Sequence, residues 1–539
     1  MKTGKTVKVL LTAATAAGML AGCGSKTDTD TFRFASELDI QGMDSTVVDD
    51  GMSFNAIHAI TDGLTAVNEK GKTAPAIAKS WDVSDDGKTY TFHLRDAKWT
   101  NGDKVTANDF VYSWRKIIKD AGNYAYMLGS GGASVKNADA LMELGANATD
   151  EQMATLGVTA KDDKTLVVEL ENKVPYFTDL MAFPCYFPQN EKFVEKCGKN
   201  YGTKPEYTLS NGAYTMTKWI KGNKATFTKN DKYYDAKAVK TKNLEMFLVQ
   251  DPKTAAQNFD NGKVDYATIN STLVDKYKGK DTFTTFNEGY LFYLQLNFKN
   301  NTIANKNVRE ALAYAINRKD LCENVLKDGS KAATGFVPSQ LSTSPAGKDF
   351  RDDADKYVSY DQKKAQEYLD AAKKELGTDT ITIDLLYGTD ESPMDTMAEY
   401  LQGSFSKLKG LKVNMVATVK KDRIYNREAN GNFQVVCTRW GPDYADPTTY
   451  LNLATTDNSN NYGKYTSAKY DALMEQIQKE SDLTKRWDLM IQAEKVIMDD
   501  LAYVPVFEKG SAALKAKNVK GLVQVPVGTP YTFKYVKLK

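Results

Sequence analysis

The sequence predicts an α/β protein, because apolar residues follow a helical spacing in some segments and an alternating strand spacing in others. The stretch 308–316 places its apolar residues on one face of a helix, and 380–387 alternates as a buried strand. The helical spacing returns in three further stretches, 363–376, 468–478 and 487–498. Helices interleaved with buried strands indicate layers of helices packed on a sheet.

A chain of 539 residues is long enough for more than one hydrophobic core. Its 71 basic and 69 acidic residues almost balance, whereas a nucleic-acid binder usually carries a basic face. We therefore expect no nucleic-acid partner. Thirty tyrosines against two histidines predict a surface that contacts ligands with amphipathic rings and transfers few protons.

The first residues have the pattern of a targeting segment. Lysines precede an apolar run over 9–21 that is too short to cross a bilayer. The run ends in Leu-Ala-Gly-Cys at positions 20–23, which resembles the lipobox of bacterial lipoproteins. The resemblance implies a signal peptide over 1–22, a diacylglycerol on Cys23 and a polar tether over 23–30. The alternative is an ordinary secretory signal with a chance cysteine.

Four cysteines follow the targeting segment, and none of them belongs to a C-x-x-C pair. They are Cys185, Cys197, Cys322 and Cys437. Their spacing predicts neither a zinc site nor a thioredoxin-like redox site, and we expect no metal and no cofactor. Cys185 and Cys197 are close enough in sequence to form a disulfide, and the sequence leaves that pairing open.

Between the targeting segment and residue 120 the sequence predicts a helix, a hairpin and a second helix. The first helix covers 53–64. Asp86-Gly87 supplies the hairpin turn, and alternate residues of the returning strand are apolar. Thr106 begins the second helix, with Asp109 at the position that completes a capping box. These elements are interpreted as scaffold.

The most informative stretch is 437–450, which reads C-T-R-W-G-P-D-Y-A-D-P-T-T-Y. It follows an apolar run over 433–436 that is typical of a buried strand, and Gly441-Pro442 then forces a turn. Trp440 and Asp443 are thus carried on a stiff corner at a strand end, where α/β proteins usually bind their ligands. The alternative is a packed tryptophan beside a turn in which Asp443 caps its own backbone.

The chain contains no motif for nucleotide binding or for metalloprotease chemistry. A Ser–His–Asp triad could use only His58 or His93, and neither histidine lies in a nucleophile-like context. Paired carboxylates stay open, since 69 acidic residues always offer candidates. We therefore predict a binding protein and not an enzyme.

The stretch 78–116 carries a family resemblance. It reads A-K-S-W-D-V-S-D-D-G-K-T-Y-T-F-H-L-R-D-A-K-W-T-N-G-D-K-V-T-A-N-D-F-V-Y-S-W-R-K. This string is similar to the signature region of the peptide- and nickel-type solute-binding proteins of ABC importers, above all the oligopeptide-binding lipoproteins. The resemblance continues through 174–177, 210–214, 307–318 and 440–448, so it covers essentially the whole chain after the targeting segment.

The resemblance implies a two-lobed α/β fold of the periplasmic-binding-protein type II, in its large variant with an extra domain, hinged at two crossings of the chain. Its implied boundaries are lobe I at 24–65, 173–294 and 507–539, an extra domain at 66–172, and lobe II at 295–506. The crossings would fall near 293–295 and 504–507. Neither position shows a break in composition.

The resemblance also implies a binding site. In the family, the aspartate of a W-x-x-D-Y motif binds the ammonium group of a peptide, which assigns that role to Asp443. Trp440 matches a pocket wall. The backbone of Arg439 and Gly441 matches the main chain that pairs with the peptide.

Two further segments align with segments that line the cleft in the family. They are a loop with Tyr124 and Tyr126, and a strand over 52–55 that includes Ser53, Phe54 and Asn55. The chain departs from the family where Cys437 replaces a basic residue and Ser53 an acidic one. Both departures concern the length of the bound peptide and the contacts of its C-terminus.

We therefore expect a monomeric, lipid-anchored oligopeptide-binding protein on the outer face of the cell membrane. It would close by a hinge around an extended peptide and dock on the permease of an ABC importer. Alternatives on the same fold are dipeptides, a signalling peptide, haem or nickel, and the scarcity of imidazole and soft ligands disfavours nickel. Alternatives of another class are a lipid-anchored surface hydrolase and a chaperone-like lipoprotein.

Overall fold

The computed structural model describes residues 30–539. The predicted signal peptide, Cys23 and the predicted tether up to residue 29 lie outside this range. Among residues 30–539, none of the helices combines the length and the apolar character that a bilayer crossing requires.

An eleven-stranded sheet forms the framework of the fold. Ten of its strands follow one another in the order Leu411–Thr418, Ile381–Gly388, Val435–Trp440, Phe283–Leu296, Tyr503–Lys515, Tyr266–Ile269, Thr31–Ser36, Asn243–Leu248, Lys224–Lys229 and Tyr214–Ile220. The eleventh, Lys331–Ala332, pairs with Tyr503–Lys515. The strand predicted over 380–387 is confirmed, and its alternate residues Ile381, Ile383 and Leu385 are buried.

Two long antiparallel strands connect the halves of this sheet. Phe283–Leu296 pairs with Val435–Trp440 on one side and with Tyr503–Lys515 on the other. On its opposite edge, Tyr503–Lys515 pairs with Tyr266–Ile269. The chain crossings implied by the resemblance fall inside these two strands. The implied domain boundaries stay a prediction.

A separate four-stranded sheet contains the predicted hairpin. Its order is Ala78–Val83, Thr89–Leu94, Thr165–Glu169 and Val158–Asp162. Three two-stranded sheets complete the β structure: Thr65–Val67 with Thr73–Pro75, Val519–Lys520 with Lys537–Leu538, and Val523–Gln524 with Tyr531–Thr532. The turn at Asp86-Gly87 joins the first two strands of the four-stranded sheet, as predicted, because Gly87 adopts a positive φ of 69° there.

Helices cover the sheets. Those of seven residues or more are Gly51–Ile60, Ala107–Lys119, Ala138–Leu144, Glu191–Cys197, Pro252–Asp260, Ser271–Tyr277, Lys306–Ala315, Gln362–Leu376, Met394–Phe405, Ala468–Lys479 and Leu483–Asp499. Each helix predicted from apolar spacing is present, with shifted ends. The capping box is also confirmed, since Thr106 N donates to Asp109 Oδ2 at 2.9 Å.

The strand expected over 52–55 is wrong, because this segment lies in the helix Gly51–Ile60. The Asp50 carboxylate begins the helix by accepting a hydrogen bond from Ser53 N at 2.8 Å. Every residue from Met52 to Ile60 is buried. A helix satisfies its backbone groups internally, so it can be buried on all sides where a strand would need a partner.

Three large clusters of buried apolar residues form the core. The largest lies between Leu291 and Phe507 in sequence. A second cluster combines residues from Phe54 to Leu209 with one distant residue, Tyr444. The third unites the outer strands of the large sheet with residues near the C-terminus. Tyr444 therefore links the corner after Trp440 to a core formed by the first half of the chain.

Candidate ligand-binding cleft

The strand Val435–Trp440 and the corner after it form the centre of the site. The strand pairs with Phe283–Leu296 along its whole length. The buried strand expected over 433–436 therefore begins two residues later, at Val435, and extends to Trp440. The hydrogen-bonded pairing with Phe283–Leu296 sets both of its ends. Gly441-Pro442 then ends the strand, as predicted.

One edge of this strand is open towards its carboxyl end. Only Val435 and Val436 pair with the neighbouring strand Ile381–Gly388. Residues 437–440 have no strand partner on that edge within the described part of the chain. Such an edge can accept an extended ligand through main-chain hydrogen bonds.

The corner itself is held in place by close packing. A Cβ atom on Gly441 would lie 2.4 Å from the Tyr290 ring, so only glycine lets this ring pack against the turn. Beyond Pro442, the backbone N–H of Asp443 donates to Thr449 Oγ1 at 3.1 Å. These contacts fix the direction in which the Asp443 side chain leaves the chain.

The Asp443 carboxylate is half-buried in the cleft. Its hydrogen-bond partner there is Tyr126, whose hydroxyl donates to Oδ1 at 3.3 Å. Burial raises the pKa of Asp443 to about 7, and the hydrogen bond from Tyr126 offsets part of the rise. Among residues 30–539 no cationic side chain forms an ion pair with Asp443. A carboxylate in this environment suits a cationic group of a ligand.

The turn-capping role belongs to a different residue, Asp446. Its Oδ1 accepts hydrogen bonds from Thr448 N at 3.0 Å and from Thr448 Oγ1 at 2.6 Å. Arg486 donates to both carboxylate oxygens, at 2.6 and 2.9 Å. Burial would raise the pKa of Asp446, but the Arg486 guanidinium outweighs it and holds the pKa below its usual range. Asp446 therefore stabilises the loop, whereas the Asp443 carboxylate takes no part in capping it and faces the cleft.

Aromatic rings from the first half of the chain form the opposite wall. Tyr124 stacks on Tyr126 with ring centroids 5.8 Å apart, and Phe54 packs edge-on against Tyr124 at 5.2 Å. Tyr176 stacks on Tyr444 with centroids 4.1 Å apart and an interplanar angle of 2°. The two walls therefore contact each other at two points, Tyr126 with Asp443 and Tyr176 with Tyr444.

Three cavities lie along this corner. The largest, about 1050 Å³, is lined by Tyr126, Trp440 and Asp443 among others. A second, about 510 Å³, touches Asp443 and includes His58 in its wall. A third, about 230 Å³, is lined by Arg439, Trp440 and the charged residues behind them. Together they offer room for several side chains on either side of an extended ligand.

The structure brings together most of the predicted site residues. Arg439, Trp440, Gly441 and Asp443 share the corner with Tyr126 and its neighbour Tyr124, and Phe54 supports the tyrosines from behind. Ser53 and Asn55 do not face the cleft. Ser53 Oγ accepts from the backbone N–H of Gln41 at 2.9 Å, and Asn55 Oδ1 accepts from Tyr531 N at 3.2 Å.

Sequence reasoning missed a buried ionic cluster beside Trp440. Arg423 Nε and Nη2 donate to Glu391 Oε2 at 3.0 and 2.7 Å, and Nη1 donates to Thr438 Oγ1 at 2.8 Å and to Glu428. Burial raises the pKa of Glu428 to about 7, and the Arg423 charge opposes the rise. No spacing in the sequence signals this cluster, because its members come from three separate segments.

The histidines and cysteines lie apart from one another. His93 Nε2 contacts Asp82 Oδ2 at 2.7 Å across the exposed hairpin. His58 is buried against Phe187, and burial lowers the pKa of its ring. Cys185 and Cys197 are both free, which settles the pairing that the sequence left open. Within residues 30–539 no three potential metal ligands cluster together.

This arrangement, a cleft between an open strand edge of the large sheet and an aromatic wall from the first half of the chain, is typical of a protein that binds an extended ligand. The chain belongs to the bacterial extracellular solute-binding proteins of family 5, whose middle-region model matches residues 72–462. This confirms the predicted family and the α/β fold class, whereas the lipid anchor and the domain boundaries stay predictions.

The chain is 34% identical over 561 residues to the dipeptide-binding protein of Lactococcus lactis subsp. cremoris, covering 100% of both chains. Among solved structures it is similar to Listeria monocytogenes OppA bound to peptide, with a TM-score of 0.77, 34% identity, and coverage of 95% of this chain and 99% of that one. It is also similar to the pheromone receptor PrgZ, with a TM-score of 0.78, 31% identity and the same coverage.

Proposed function

We propose that this chain binds short peptides outside the cytoplasm and delivers them, as a monomer, to the permease of an ABC importer. The observation that carries the proposal is the half-buried Asp443 carboxylate, which has no ion-pair partner among residues 30–539 and stands beside an open strand edge. A free peptide supplies both an ammonium group and an extended backbone. The name of the Lactococcus lactis dipeptide-binding protein and the peptide bound to Listeria monocytogenes OppA agree with this proposal.

We expect two parts of the corner to bind the peptide: the Asp443 carboxylate and the open strand edge before it. The α-ammonium of the peptide binds Asp443 by a charge-assisted hydrogen bond. The peptide backbone adds to the edge at Arg439 and Gly441, and Trp440 forms a pocket wall. The side chains enter the adjoining cavities, whose volume tolerates different sequences. Hinge motion would admit the peptide and release it.

Mass spectrometry of small molecules that co-purify with residues 30–539 tests the proposal directly. Peptides are the expected cargo. Haem or nickel would indicate another ligand on the same fold, and a single peptide species would favour a signalling peptide. Hydrolysis of a peptide library would support the hydrolase, and protection of unfolded proteins would support the chaperone-like lipoprotein.

Binding should depend on pH through Asp443. Because burial raises the pKa of Asp443 to about 7, its carboxyl group must lose a proton below that pH before it can pair with an ammonium. Affinity should therefore fall by up to about tenfold for each pH unit below 7. Calorimetry in buffers of different ionisation enthalpy should detect a released proton at pH 6. Constant affinity from pH 5 to 7 would contradict this assignment, and Asp443→Asn serves as the control that releases no proton.

We further propose that Cys23 carries the lipid that holds the protein on the outer face of the cell membrane. Cys23→Ser should abolish incorporation of a fatty-acid analogue and leave the protein secreted or with its signal uncleaved. Label that persists on the serine variant would exclude this anchor. Cys197→Ser is the matched control and should keep the label.

A further inference from the structure

The guanidinium of Arg439 is placed in the cleft without a strong partner. Its side chain is 29% exposed and lines the 230 Å³ cavity beside Trp440. Rings of Tyr290 and Phe292 lie 5.0 and 5.8 Å from it. Within residues 30–539 its ion-pair contact is Nε to Glu391 Oε1 at 3.6 Å, which is too long for a hydrogen bond.

Arg423 holds the Glu391 carboxylate through one oxygen only, and the other oxygen, Oε1, is buried and accepts no hydrogen bond within residues 30–539. The bound oxygen, Oε2, accepts two hydrogen bonds from Arg423, at 3.0 and 2.7 Å, and Arg423 also pairs with Glu428. The cavity is thus lined by three cations, including Lys420, against two carboxylates. The positive excess and the five N–H donors of the Arg439 guanidinium favour an anionic group in this cavity.

We infer that Arg439 binds a carboxylate of the ligand, so that the site selects peptides at a second point beyond the ammonium. The inference rests on the proposed function, in which Asp443 holds that ammonium. Four positions separate Arg439 from Asp443, so their Cα atoms lie at most about 14 Å apart. A peptide of about two to five residues can present both of its ends to these side chains.

Two parts of a peptide can supply this carboxylate. One is the C-terminus of a short peptide, and the other is an acidic side chain near the N-terminus of a longer one. Both offer the planar pair of oxygens that matches a guanidinium in two parallel hydrogen bonds. Because Arg439 is only partly exposed, we expect the contact to change affinity by about tenfold to a hundredfold, between the effects of an exposed and of a shielded charge pair.

Calorimetry with four peptides of free N-terminus distinguishes these sources. Two of the peptides are trialanine and its C-terminal amide. The other two are longer C-terminal amides that differ only at positions two and three, where one has Glu at both positions and the other has Gln at both. If the C-terminus binds, amidation of trialanine should weaken binding to the parent protein and leave binding to Arg439→Gln unchanged. If an acidic side chain binds, the Glu peptide should exceed the Gln peptide in the parent protein only.

Two further variants control the measurement. Arg439→Lys keeps the charge but not the paired donors, so it should retain part of the preference. Arg427→Gln removes an exposed arginine, paired with Asp422, outside this cavity and should behave as the parent. If the parent binds all four peptides equally, or if a preference persists in Arg439→Gln, the inference is overturned while the proposed function stands. If the parent binds none of them, the proposed function fails and the inference fails with it.

Discussion

Replacing Asp443 with asparagine should weaken the binding of a free-amine peptide by roughly thirty-fold to several thousand-fold. Removing one partner of a shielded ion pair typically costs about 2–5 kcal/mol, much of it from the charge left behind. About 1.4 kcal/mol corresponds to a tenfold change in affinity. Asparagine preserves the shape of the side chain, and it can still accept the hydrogen bond from the Tyr126 hydroxyl. The loss of affinity in this variant therefore measures the contribution of the Asp443 charge.

An N-acetylated peptide provides the second half of this experiment. Acetylation removes the ammonium, so it should weaken binding to the parent protein and cost little further in the Asp443→Asn variant. Calorimetry of both peptides with both proteins measures the coupling. Asp457→Asn, which removes an exposed carboxylate from the wall of the same large cavity, should change affinity little. If acetylation weakens binding equally in both proteins, Asp443 does not bind the ammonium. Residues 437–450 would then be a packed turn that Asp443 caps, which is the alternative interpretation.

Replacing Arg423 with methionine should lower the free energy of unfolding by about 3–5 kcal/mol at pH 8, because the buried Glu428 and Glu391 carboxylates lose the cation that hydrogen-bonds both of them. The side chains of Arg423, Glu391 and Glu428 are each no more than 2% exposed. Urea unfolding of the parent protein and the variant at the same pH measures the difference.

The loss in this variant should shrink on acidification. Without Arg423, burial would raise the pKa of Glu428 further above its unfolded value, so the cost applies above the unfolded pKa and is relieved as protonation neutralises this carboxylate. The difference from the parent protein at pH 5 should therefore be smaller than at pH 8. A loss that does not vary with pH would assign the effect to packing. Arg427→Met, on the exposed side of the same segment, should cost under about 0.5 kcal/mol.

Local patterns in the sequence were enough to predict many of the helices and the corner that carries the site. The helical spacing over 363–376 and 468–478 predicted helices that the structure contains, because a helix buries one face whatever it packs against. The Gly441-Pro442 corner that carries Trp440 and Asp443 also followed from local chemistry. The family resemblance, carried by the long motif over 78–116, supplied the class of fold.

Only the tertiary structure decided which side chains share the cleft. It gathered Tyr126, Asp443 and Tyr176 from distant parts of the chain, and it buried Ser53 and Asn55 away from the cleft. The apolar spacing had predicted a helix over 53–64, and the strand over 52–55 that the resemblance implied was wrong. The cluster around Arg423 had no signal in sequence, because charges far apart in the chain are ordinary surface residues until folding removes water from them.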